Sequence, residues 1–230
     1  MKEQSNWRVP VLLLMLGSVS ILFGMFQAFN IIVLGPPKEI DEFTSMHYHT
    51  MPIPILLHVI FGVLFNLLAP FQFVHSLRRR FPRFHRYSGR LLIPTGVIAA
   101  VSALWMNEFY PSFGGEVKYY AVIIHSILLI AFLGLAVSYI LKRKIPQHRA
   151  WMMRAVAVSL SPATQRVIML PIFGIFGIPE QLDVIVGVLI WSALFLNLAV
   201  VEWVLRRGRN KVCKNGLAHP VILANVYEKN

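Results

Sequence analysis

The chain has 230 residues, of which 57% are hydrophobic and only 14% charged, with a mean hydropathy of +0.63. That leaves too little polar surface to coat a water-soluble globule of this size, so the chain belongs in a lipid bilayer. The net charge of +12 does not point to nucleic acid, because the basic residues fall in short runs between apolar spans and not along one soluble face.

In chain order, Met1 to Arg8 is a short polar leader, and Val9 to Leu34 is apolar over more than the ~20 residues a helix needs to cross a bilayer. It is too long for a signal-peptide core, and Gly35, Pro36 and Pro37 follow where a small-residue cleavage site would stand, so an uncleaved first helix is expected. Further spans read as Pro52 to Val74, Leu91 to Tyr110, Tyr119 to Leu141, Ala150 to Phe173 and Leu182 to Leu205. The expected fold is all-α and polytopic: six transmembrane helices in a single integral membrane domain, followed by a basic tail over 206–230.

The loops alternate in charge. Arg78, Arg79, Arg80, Arg83, Arg86 and Arg90 lie between helices two and three, and Lys142, Arg143, Lys144 and Arg149 lie between four and five. Arg206, Arg207, Arg209, Lys211 and Lys214 follow helix six. The other loops hold Glu39, Asp41, Glu42, Glu116, Glu180 and Asp183, offset only by Lys38 and Lys118. The positive-inside rule then puts both termini of this multi-pass protein in the cytoplasm.

Four histidines fall into this frame in pairs. Helix two enters from the acidic side at Pro52, which puts His58 about 9 Å deep, and helix four enters at Lys118, which puts His125 about 10 Å deep. At the basic side, His85 and His148 each open a helix and are each followed by arginine, in FHRYSGR and QHRAWMMR. This is a helix pair repeated: a histidine high in the first helix, a basic turn, then His-Arg opening the second. Parallel copies about an axis along the membrane normal would set helix two opposite four and three opposite five in a four-helix core. His58 would then approach His125, and His85 would approach His148.

Two opposed imidazoles in a four-helix core are what axial ligation of a haem b requires. One pair near each face would let an electron cross the bilayer in two steps, as a transmembrane oxidoreductase with a quinone or metal ion as acceptor. Haem propionates need cations in low dielectric. Arg166 comes close to the outer histidine level and Arg90 and Arg154 to the inner one, although Arg166 could equally pair with a helix carbonyl or with Glu108. His75 competes as an inner ligand. The lone Cys213 and the absence of CxxCH mean that any haem is held non-covalently. Each histidine also admits a plainer role, as a hydrogen-bond partner between helices or a lipid-phosphate contact.

The same residues admit a second reading, a non-enzymatic transporter or metal-handling factor in which the intramembrane histidines relay protons. It draws on the loop MHYHTM, where Met46, His47, His49 and Met51 offer the mixture of thioether and imidazole that suits copper, with His47 and His49 on one side of an extended segment. Gly17 and Gly24 read as close-packing positions in helix one, and Ser161 with Pro162 as a kink in helix five.

Two resemblances follow from these residues. From LLHVIFG through PFQF, RRRFPRFHRYSGR and QHRAWMMRAV to Gln165 and Arg166, roughly Pro54 to Pro171, the chain resembles the bacterial predicted membrane protein family, domain of unknown function 2306. One histidine on each of helices two to five also resembles the transmembrane di-haem cytochrome b group of the ascorbate-reducible type. That resemblance implies an outer haem on His58 and His125 and an inner haem on His85 and His148. The departure is that His85 and His148 sit at helix starts.

Overall fold

The computed structural model describes residues 7–35, 47–110, 115–177 and 181–214, with the backbone alone at residues 47, 183 and 209–214. The described residues are almost entirely helical. Helix α1 spans Arg8–Phe29 and continues through a π-helical turn, Asn30–Leu34; α2 is the single turn His47–Thr50; α3 spans Pro52–Leu68 and tightens into a 3₁₀ segment, Ala69–Phe73. A short α4, His75–Arg80, leads into α5, Pro82–Phe109, and α6, Gly115–Leu141. The fifth crossing is broken into α7, Ile145–Ser159, and α8, Ser161–Phe176, and α9 is Leu182–Lys214. Six segments are long and apolar enough to cross a membrane: Arg8–Leu34, Pro52–Phe73, Pro82–Phe109, Gly115–Leu141, Ile145–Phe176 and Val184–Gly208.

Prolines set several of these boundaries. Pro82 and Pro146 stand in the first turns of α5 and α7, where a fixed φ suits the helix and the missing N–H has no partner to lose. Helices therefore begin at 82 and 145, earlier than the Leu91 and Ala150 read from hydropathy. Arginine is a good helix former, and its long stem lets the charge reach the interface while the backbone stays helical. Pro70 cannot supply the amide that would bond the carbonyl of Asn66, and α3 tightens there into 3₁₀ geometry. Pro162 does the same to the carbonyl of Val158, which produces the expected break at Leu160.

Helices α3, α5, α6 and α7 pack as a ring in which each touches the next: α3 on α5, α5 on α6, α6 on α7 and α7 on α3. No packed interface joins the diagonal pairs, α3 with α6 or α5 with α7, among the described residues. Helix α1 lies outside, against α3 and α8, and α9 lies against α6, α7 and α8. The core holds Phe65, Leu92, Ala100, Leu129, Leu133, Ala136, Met152, Ala155 and Val158. Gly96 is what allows α5 in so close, since a Cβ there would stand 2.6 Å from Leu133 Cδ1 and 2.9 Å from the Phe65 ring. The expected close-packing glycines of α1 behave in a milder way: Gly17 faces Leu160 and Asn66, and Gly24 faces Val59.

Candidate functional site: two histidine levels in the helix ring

Toward the acidic end of the ring, His58 on α3 places Nδ1 2.9 Å from the Ala99 carbonyl of α5. A carbonyl can only accept, so Nδ1 carries the proton and Nε2 is left with its lone pair. His125 on α6 is hydrogen-bonded to the backbone of Val158 on α7. That acceptor is set by sequence: Val158 stands four residues before Pro162, whose missing N–H leaves the carbonyl without its usual helical donor. His58 and His125 lie close enough to interact electrostatically. Both rings are surrounded by protein, although the residues as a whole are half-buried.

Arg166 belongs to the same level. Its charge bears on His58, Nη1 donates to the Pro162 carbonyl at 2.9 Å, and the guanidinium lies 4.6 Å from the centroid of the Phe23 ring. No carboxylate pairs with it among the described residues. Glu108 is instead exposed and accepts from the Tyr119 hydroxyl at 3.0 Å. A guanidinium at membrane depth that rests only on a carbonyl and an aromatic face keeps donors that an anion could accept from.

At the basic end, His148 in the first turn of α7 places Nδ1 2.9 Å from the Ala136 carbonyl of α6, which leaves Nε2 free in the same way. Ala136 lies eleven residues beyond His125 on α6, so the two levels are about 16 Å apart along that helix. His85, in the first turn of α5, is close enough to His148 and Arg78 to feel their charge. Its Nδ1 is buried without a hydrogen-bond partner, so this ring lacks the backbone anchor that His58 and His148 have.

The structure brings His58, His125 and Arg166 within electrostatic range at one level, and His85 and His148 at the other. The other two arginines expected at the inner level are engaged differently. Arg154 Nε donates to Glu202 Oε1 at 2.6 Å, and its guanidinium lies 4.5 Å from the Trp151 ring centroid. Arg90 is exposed and shares a pocket with Arg83, Arg86 and Tyr87. The cation beside His85 is Arg78 of α4, where burial and the neighbouring Arg149 hold the guanidinium below the usual arginine range. Hydropathy could not have singled out Arg78, because α4 reads as loop. His75 opens α4 and is exposed.

The loop expected to be extended at His47 and His49 is a helical turn, α2. Positions two apart in a helix are separated by about 200° around its axis, whereas in an extended segment they share a side. Met46 and the side chain of His47 lie outside the described residues. The Met51 carbonyl accepts from the Tyr110 hydroxyl at 2.6 Å, and Tyr48 packs edge-on against Tyr110. No cluster of three His, Cys, Asp or Glu side chains is present among the described residues.

Six spanning helices with paired intramembrane histidines define a helical integral membrane protein. Residues 55–205 match the family described as Predicted membrane protein (DUF2306), and the chain belongs to that family. The match runs from residue 55, in the first turn of α3, to residue 205 within α9, beyond the stretch whose motifs suggest it, and leaves α1 outside. No curated protein and no solved structure matches the chain; the resemblance to cytochromes b rests on the placement of the histidines.

Proposed function

We propose that this protein binds haem b between His58 and His125, and a second haem between His85 and His148, and that it carries electrons across the cytoplasmic membrane of a bacterium with both termini inside. The observation that carries the reading is the outer level. Two histidines from diagonal helices of the ring come within electrostatic range of each other there. The Nδ1 of His58 is committed to a carbonyl, His125 is held by the backbone of Val158, and an uncompensated guanidinium, Arg166, lies beside them. Metal-ligating histidines characteristically donate their second N–H to such an acceptor, which fixes the ring and its tautomer.

The residues fit the group at this level: His58 and His125 would hold the iron and Arg166 a propionate. Bound haem would supply one-electron transfer, with a quinone or metal ion as the outer acceptor. At the inner level His148 is oriented by Ala136 and Arg78 supplies the cation, while His85 must be oriented by ligation itself. The parallel placement of the two pairs supports a duplicated helix unit, and the arginine-rich ends of α5 and α7 support the cytoplasmic assignment of that face.

The test is the reduced-minus-oxidised spectrum of protein purified from haem-replete cells. Wild type should show b-type bands, diminished in His58→Gly and His125→Gly and recovered by added imidazole. His85→Gly should retain the outer haem. A monodisperse, colourless wild-type protein would rule the reading out and favour histidines that relay protons.

A further inference from the structure

Where α5 emerges at the basic end, Arg83, Arg86, Tyr87 and Arg90 line a pocket of about 210 Å³. Their spacing of three, four and seven residues gathers them on a single stripe of the helix. All four are exposed, and none of the three guanidiniums has a hydrogen-bond or ion-pair partner among the described residues. Other arginines near this end are occupied: Arg154 pairs with Glu202, Arg207 lies over the Trp203 ring and Arg80 over Phe81. Among the described residues Glu202 is the carboxylate at this end, and Arg154 already holds it.

Topogenic charge would explain arginines anywhere in this turn, since the positive-inside rule counts cations and is indifferent to their arrangement. It does not explain their concentration on one stripe, where like charges a turn apart repel. Such a stripe is stable when an external anion bridges it. Three guanidinium forks and a phenolic hydroxyl offer more donors than one carboxylate can accept, and they suit an anion whose several oxygens point in different directions.

We propose that Arg83, Arg86, Arg90 and Tyr87 form a binding site for a phosphoryl anion at the membrane surface. The anion comes either from the headgroup of an anionic phospholipid or from free phosphate, and both would meet the same donors.

The experiment compares full-length wild type with the triple variant Arg83→Gln/Arg86→Gln/Arg90→Gln. An equal-charge control carries Lys142→Gln/Arg143→Gln/Lys144→Gln on the other basic loop. In one arm, native mass spectrometry in detergent measures retention of added phosphatidylglycerol. In the other, inorganic phosphate is titrated against thermal unfolding. Lipid affinity should fall roughly 5-fold for each arginine removed, while the control stays near wild type. The Arg→Lys triple variant, which keeps the charge and loses the fork, should fall between them. Retention with no phosphate effect assigns the site to lipid, and phosphate protection lost only in the Gln triple variant assigns it to free phosphate. Equal loss in the triple variant and the control, or no difference from wild type in either arm, overturns the proposal.

Discussion

Replacing Gly96 with alanine probes both the packing of the helix ring and the orientation of His58. The new methyl would lie 2.6 Å from Leu133 Cδ1 and 2.9 and 3.1 Å from two Phe65 ring carbons. Carbon atoms prefer about 3.5–4.0 Å, so something must give by about 1 Å. Leu133 and Phe65 are 0% and 2% exposed, and neither has anywhere to go; α5 itself must retreat. Ala99, three residues further along α5, carries the carbonyl held by His58 at 2.9 Å. Retreat of that size stretches the bond beyond hydrogen-bonding range. Overpacking of this kind costs about 1–3 kcal/mol, whereas glycine to alanine within a helix gains up to about 1 kcal/mol from propensity. Gly134→Ala in α6 separates the two effects, because nothing lies within 4 Å of its added Cβ. In thermal unfolding followed by tryptophan fluorescence, Gly96→Ala should melt below Gly134→Ala, and it should lose the proposed haem where Gly134→Ala keeps it. Equal melting temperatures for the two variants would refute the packing argument, and full haem retention in Gly96→Ala would refute its link to His58.

Further outcomes are expected elsewhere. Pro162→Ala returns an amide that competes for the Val158 carbonyl, so His125 loses its anchor; the variant should fold at least as stably as wild type yet hold less of the proposed haem, measured as haem per protein by pyridine haemochrome. Arg154→Ala and Glu202→Ala each leave one charge unpaired. With the two side chains 20% and 35% exposed, the cost is screened to about 1–2 kcal/mol each, and a double-mutant cycle should show the pair of changes costing less than their sum. Tyr110 is pushed above the ordinary tyrosine value by burial, with Tyr48 adding to the effect and a backbone bond to Ile55 opposing it. A raised pKa in the folded state gives stability that is complete below about pH 10 and is lost as pH rises through the folded value. Tyr110→Phe should remove that alkaline limb from a pH series of melting temperatures, and should cost about 1 kcal/mol at neutral pH through loss of the bond to Met51.

The number of crossings was legible because each carries enough apolar residues to span hydrocarbon, and the electrostatic proximity of His58 and His125 because both lie at matched depth in helices running the same way. Helix starts were misplaced because hydropathy reports where lipid begins, whereas Pro82 and Pro146 report where the backbone coils. The extended reading of the loop at His47 failed for a similar reason: alternation in a short polar run does not distinguish a strand from a single helical turn. The acceptors that orient the histidines could not be read from residue type, since Ala99 and Ala136 act through backbone carbonyls. Val158 is the exception, flagged by the proline four residues later. Arg154 could not be separated from Arg166 by sequence, because what divides them is a carboxylate forty-eight positions away at Glu202.

Helix α1 has only 11% of its most apolar window buried in the protein, and it lies outside the residues that match the family. Its two neighbours, α3 and α8, are separated in sequence by α5, α6 and α7. During synthesis α1 is therefore joined first by α3, the span that follows it and supplies the larger part of its packing, well before α8 has left the ribosome. The side of α1 that faces α8 stays lipid-solvated until then, a state its apolar circumference tolerates. Docking of α8 against α1 is then a late step in assembly, closed when Phe23 meets Arg166.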